Sequence, residues 1–226
     1  MKIYAINGSP RKNWNTATVL SSVLKGASQV NDDISTEMIH LYDYSYKGCI
    51  SCFQCKRLNG LSYGKCAIKD GLTSILEKVL QADGLIIGSP IYFADITGML
   101  KCFLERLLFP CFVYDINYSS IAPKKIRTAI IYTMNITYND MLSYHYPKKL
   151  GVIELFLGKV FGHKPLIQYI NDTYQFNDYS KYKMELFSES DKAKQRKFQF
   201  PIDCNNARKL GSELATNIIN NVNPTG

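Results

Sequence analysis

Lys2-Ile3-Tyr4-Ala5-Ile6-Asn7-Gly8-Ser9-Pro10-Arg11 decides how the chain is read. Residues 2–7 alternate as a short buried strand does, and Gly-Ser-Pro then turns the strand into a loop. Directly after it, residues 16–28 carry Val19, Leu20, Val23 and Leu24 at helical spacing. Strand, loop and helix in that order make the opening of a βαβ unit.

Working outward, the pattern recurs. A strand over 34–41 alternates Ile34, Thr36 and Met38, and a helix is expected over 72–81. Asp83-Gly84-Leu85-Ile86-Ile87-Gly88 is a continuous apolar run suited to a strand buried on both faces. A loop over 89–94 and a helix over 96–109 follow it. Next come a strand over 127–134, a polar loop, a helix over 150–161 and a strand over 165–170. A polar loop from 171 leads to a last helix over 205–220. Five strands alternating with helices predict an α/β fold: a doubly wound sheet of five parallel strands with helices on both faces. All 226 residues are expected to form one domain. In such sheets ligands bind beyond the carboxyl ends of the strands, where strand order reverses. The loops after the first, third and fourth strands are therefore the ones to search.

Composition sets the surroundings. Apolar residues make up 46% and charged residues 20%, as in an ordinary globular chain. No apolar run is long enough for a membrane span, and no h-region precedes Gly8, so a cytoplasmic protein without a membrane partner is expected. The net charge of +8 suits anionic ligands. Nucleic acid is not expected, because the chain has no helix-turn-helix signal, no zinc-finger spacing and no ribonucleoprotein aromatic motif.

The first loop, Gly8 to Thr16, offers hydroxyls (Ser9, Thr16), an amide (Asn15) and a guanidinium (Arg11) ahead of a helix N-terminus. Unpaired N–H groups and the positive dipole end make that a phosphate cradle; a plain capped helix is the competing reading. It lacks both the dinucleotide fingerprint and the P-loop spacing, which favours a mononucleotide phosphate held without metal. Pro90-Ile91-Tyr92-Phe93, at the end of a buried strand, reads either as core or as an apolar slot for a flat ring.

Gly8-Ser9-Pro10-Arg11, Gly64-Lys65-Cys66-Ala67-Ile68-Lys69-Asp70, Gly88-Ser89-Pro90-Ile91-Tyr92-Phe93, Gly98-Met99-Leu100-Lys101 and Glu105-Arg106 together resemble the flavodoxin-like NAD(P)H-dependent FMN reductases. The resemblance covers the first half of the chain in register. It implies that Ser9, Arg11, Asn15 and Thr16 hold the FMN phosphate, with Ala17 and its neighbours adding backbone N–H groups. Pro90, Ile91, Tyr92 and Phe93 would line the isoalloxazine and ribityl chain, and Thr133, Met134 and Asn135 would form a third flavin loop. Asn135 stands where the family often has glycine. The resemblance further implies hydride transfer from NAD(P)H to FMN, then to a quinone, nitro or azo compound, flavin or ferric acceptor, in a homodimer. A flavin carries that chemistry itself, so no catalytic acid or base is expected, and His40, His145 and His163 receive no role. Glu105 and Arg106 are expected in a surface or subunit-contact ion pair.

Cys49, Cys52, Cys55 and Cys66 place four soft ligands on one long loop. Iron-sulfur flavoproteins on this scaffold carry a compact four-cysteine motif here, with a shorter last interval than residues 56–65 give this chain. The expectation is FMN with no cluster and packed thiols; a 4Fe-4S cluster on those four cysteines, making an electron carrier, is the alternative, and zinc the third. Cys102, Cys111 and Cys204 are expected as small buried groups. A basic binding module with no redox role is the rival from another class.

Overall fold

The computed structural model describes residues 1–222. In chain order it contains β1 (Lys2–Asn7), α1 (Asn15–Ser28), β2 (Ser35–His40), α2 (Thr73–Leu80), β3 (Gly84–Tyr92), β4 (Asp95–Ile96) and α3 (Gly98–Cys111). The second half adds β5 (Arg127–Thr133), α4 (Tyr138–Ser143), α5 (Tyr146–Phe161), β6 (Leu166–Ile170), α6 (Glu189–Lys194) and α7 (Phe200–Val222). A π-helical turn, Gln195–Gln199, joins the last two helices.

Five parallel strands lie in the order β2-β1-β3-β5-β6, and β4 pairs antiparallel with β3 outside that ladder. Counting the parallel strands alone, the order is that of flavodoxin-like doubly wound sheets, with the switch point between β1 and β3. The predicted five-stranded parallel sheet is present.

Both faces of the sheet are buried, and the period of two is visible in who packs where. Tyr4, Ile6, Leu85, Ile87, Ile130 and Tyr132 join one core with α2, α3 and α5. Their neighbours Ile3, Ala5, Ile86, Ala129 and Ile131 join the other with α1 and α7. Each fully buried Leu or Ile contributes about 1.5–3 kcal/mol, so the central strands anchor the fold.

Several boundaries differ from the sequence reading for local reasons. β3 runs to Tyr92 because β4 folds back on it, pairing Tyr92 with Asp95. The two residues between, Phe93 (φ 52°) and Ala94 (φ 64°), both adopt the left-handed conformation of a type I′ turn. Phe-Ala carries none of the Asn-Gly signal that announces such a hairpin. α5 begins at Tyr146, with Pro147 in its first turn and Gly162 (φ 80°) closing its end. The short α4 occupies the expected polar loop, capped by Thr137 accepting from Asp140 N–H. α6 and the π turn extend the expected last helix toward the N-terminal side. No helix among the described residues is long and apolar enough to cross a membrane.

Candidate functional site

The loops after β1, β3 and β5 are bound into one unit by short side-chain bridges. Gly8 N–H donates to Gly88 O at 2.8 Å, and Thr97 Oγ1 donates to Gly8 O at 2.7 Å. Thr97 N–H in turn donates to Ser89 Oγ at 3.1 Å, so the α3 N-cap ties the first loop to the second. Thr16 and Thr133 share a buried hydroxyl–hydroxyl bond of 2.8 Å, which ties the first loop to the third. Asn7 Oδ1 accepts Ser9 N–H and Ser9 Oγ accepts Arg11 N–H, holding the chain in successive side-chain turns.

A cleft opens at this junction. Ser9, Arg11, Asn15, Thr16, Pro90, Ile91, Tyr92, Thr133, Met134 and Asn135 line it. Ten of the twelve residues expected to hold the ligand are thus brought to one place. Ala17 lies in the first turn of α1, where its N–H rather than its side chain faces the loop end. Phe93 stands at the hairpin tip, 105% exposed, and does not line the cleft.

Four further lining residues carried no expectation: Trp14, Thr173, Tyr174 and Gln175. Trp14 is the chain's single tryptophan, a signal that was available. The others come from the polar segment after β6, where no pattern points to a site. Their backbone meets the first loop: Arg11 Nη1 donates to Gln175 O at 2.6 Å, while Asn15 Nδ2 and Trp14 Nε1 donate to Tyr174 O at 2.8 and 3.2 Å.

The donor set suits a phosphate-bearing ring cofactor. α1 starts at Trp14 without a side-chain cap, and its first helical bond is Thr18 N–H to Trp14 O. The N–H groups of Asn15, Thr16 and Ala17 therefore have no helical partner, although those residues are buried. Anions fit such an end. At the opposite wall, Asn135 Oδ1 is buried and without a partner, an acceptor waiting for an N–H donor. The cleft measures about 110 Å³, enough for a phosphate and its chain, and Pro90 and Tyr92 are among its lining. Two larger hollows, of about 500 and 710 Å³, flank α3 and include no residue of these three loops.

The cysteine segment is stapled to α3. Arg106 spends its guanidinium on it: Nε donates to Cys66 Sγ at 3.3 Å, Nη1 to Lys47 O and Asp70, and Nη2 to Ile68 O and Asp70. Its side chain has no exposed surface, which corrects the expected surface or subunit-contact pair. The reason is geometric: the segment wraps over α3 and buries that face. Glu105 Oε2 accepts Cys49 N–H at 3.1 Å, and Lys56 Nζ caps the end of α3 at Phe109 O and Phe112 O. Burial lifts the Asp70 carboxyl, but Arg106 and the Leu72 N–H more than reverse this and hold it below the usual range.

Cys49, Cys52, Cys55 and Cys66 all line one small hollow against Phe109 and Pro110. Ser51 (φ 54°) and Phe53 (φ 55°), on either side of Cys52, are strained, left-handed positions. Burial pushes the Cys55 thiol up, and Cys111 up to about 11, so both favour the protonated form. Among the described residues no three Cys, His, Asp or Glu side chains stand close enough together to hold a metal ion. The thiols share a hollow without converging. Cys111 is buried, whereas Cys102 and Cys204 are only partly so.

Comparison with known proteins adds a family. Residues 1–124 match the model for NADPH-dependent FMN reductase, which is more than half of the chain. The chain belongs to this family. Among curated relatives of this FMN reductase family member is an iron-sulfur flavoprotein of Methanocaldococcus jannaschii, 39% identical over 106 residues, covering 47% of this chain and 51% of the relative. Another, an iron-sulfur flavoprotein of Archaeoglobus fulgidus, is 38% identical over 106 residues, covering 47% and 48%. The chain thus spans about half the length of these relatives. An NAD(P)H:quinone oxidoreductase from Methanothermobacter marburgensis superposes with a TM-score of 0.67 at 16% identity, covering 95% of this chain and 96% of that one. An FMN-dependent NADH-azoreductase from Bacillus anthracis gives 0.63 at 16%, covering 95% and 100%. At that identity the likeness is one of fold.

Proposed function

We propose that this family member binds FMN noncovalently at the cleft and oxidises NAD(P)H. The observation that carries the reading is the interlocked trio of loops, with buried hydroxyls and uncapped N–H groups at one end and the orphaned Asn135 oxygen at the other. A bound FMN would supply the hydride-transfer chemistry between the nicotinamide and the acceptor. The protein binds and orients. Ser9, Arg11, Asn15, Thr16 and the Ala17 N–H would hold the phosphate; Pro90, Ile91 and Tyr92 would line the ring and ribityl chain; Thr133, Met134 and Asn135 would form the third flavin loop. Phe93, exposed at the strained hairpin tip, is placed to meet whatever stacks on the open face. The acceptor is a quinone, a nitro or azo compound, a flavin or ferric iron.

Two points of organisation belong to the same reading. The described residues, 1–222, form one domain, supported by the single sheet that both halves share; the last four residues of the expected 1–226 domain lie outside the described residues. Two copies associate, supported by the apolar hollow between α3 and α5, where Val152 and Phe156 are exposed.

A second reading rests on the relatives named iron-sulfur flavoproteins: a 4Fe-4S cluster on Cys49, Cys52, Cys55 and Cys66, in an electron carrier, which would require these thiols to draw together from the hollow they share. One preparation separates the two. Protein purified without oxygen and loaded with FMN should be yellow, lack iron and sulfide, and bleach on NADPH. Near four iron and four sulfide per chain, with little bleaching, would establish the carrier; a chain that takes up no flavin would overturn both.

A further inference from the structure

The family match ends at residue 124, yet two cations from far beyond it bond to residues that line the cleft. Lys192 and Arg196 are four residues apart on the C-terminal helical segment, which places them on one face. Between α6 and α7 that segment is π-helical, an irregularity that is rare and concentrates at functional sites.

Lys192 is buried, its side chain 2% exposed. Its ammonium donates to Asn135 O, pairs with the Asp172 carboxylate and lies 4.7 Å from the Phe187 ring centre. Asp172 is itself left-handed (φ 55°), and its N–H donates to Ile136 O at 2.8 Å. The loop that presents the orphaned Asn135 oxygen is therefore pinned from both sides. One residue past α6, Gln195 Nε2 reaches Asn171 O at 3.4 Å, on the same side of the helix.

Arg196 Nη1 donates to Asn15 Oδ1 at 3.0 Å, with its guanidinium carbon 4.3 Å from the Phe200 ring centre. A guanidinium can only donate, so it forces the Asn15 amide to turn its oxygen toward Arg196 and its nitrogen toward Tyr174 O. Asn15 is thereby held at the head of α1 in one orientation.

We infer that Lys192 and Arg196 are positioning residues of the flavin site that divide it by end: Arg196 sets the phosphate end through Asn15, and Lys192, paired with Asp172, sets the ring end through Asn135. This rests on the FMN reading above.

The test uses the full chain, stripped of flavin, titrated with FMN and with riboflavin. Wild type that binds neither ligand overturns the FMN reading itself and needs no variant. Given wild-type binding, Arg196→Gln, on an exposed side chain, weakens FMN by roughly 3- to 10-fold, the net size of one ordinary hydrogen bond, and leaves riboflavin within about twofold. Lys192→Met weakens both ligands alike and shifts the midpoint potential of bound flavin to more negative values, because Asp172 is left unpaired beside the ring end. Asp172→Asn, which keeps Lys192, shifts it the opposite way and covers the case in which Lys192→Met does not fold. Equal losses of FMN and riboflavin in Arg196→Gln, or potentials that do not separate in opposite directions, overturn the assignment.

Discussion

Arg106 holds the cysteine segment by one guanidinium, so its loss should be felt as a buried charge left alone. Arg106→Met strands Asp70 and the carbonyls of Lys47 and Ile68, and is expected to cost about 3 kcal/mol, read as a lower urea midpoint. The pH dependence has a definite sign. Asp70 is held below its ordinary value in the folded chain, so its contribution is fully present above about pH 4 and disappears as pH falls through the depressed value. The gap in urea midpoint between wild type and Asp70→Asn should therefore shrink on acidification below about pH 4; a gap that holds constant contradicts the pairing. Single residues were unevenly legible. Ser9, Arg11, Asn15 and Thr16 announce themselves as polar groups in a loop before a helix. Arg106 looks like a surface charge because nothing in one dimension shows a distant segment folding over its helix.

Between elements, the closest packing joins α1 to α7 across the face of the sheet. A Cβ built on Gly26 would fall inside contact distance of Arg208 O, and one on Gly211 inside that of Val23 O. The two helices touch backbone to backbone, which only glycine allows. Gly211→Ala should push them apart at roughly 1–3 kcal/mol, the range of an overpacked core, visible as a lowered melting temperature. Because Arg196 sits just ahead of α7, the same variant should also weaken FMN more than riboflavin. Regular elements were readable from periodicity: β1, α1, β3, α3, β5 and β6 appear within a few residues of expectation. The β3–β4 hairpin was not, since Phe93-Ala94 lacks turn chemistry and is held by the pairing of Tyr92 with Asp95. Residues 174 and 175 were equally silent, because their backbone carbonyls do the work and every residue supplies one whatever its side chain.

Taken as one body, the chain presents two kinds of surface: a polar cleft at the strand ends and an apolar hollow between α3 and α5. If the hollow is where copies meet, Phe156→Glu should convert a dimer into a monomer by light scattering while leaving the helical signal intact; a wild-type chain that is already monomeric contradicts that use of the surface. The end of the sheet at which the cleft opens was foreseeable from strand alternation. What sits there is tested most directly by the chain's own reporter. Trp14, the single tryptophan, lines the cleft. Titrating flavin-free protein with FMN should quench its emission to a plateau at one FMN per chain, while riboflavin, lacking the phosphate, should need at least about tenfold more ligand. Emission that ignores FMN, or responds equally to both, would contradict a phosphate-anchored flavin at this site.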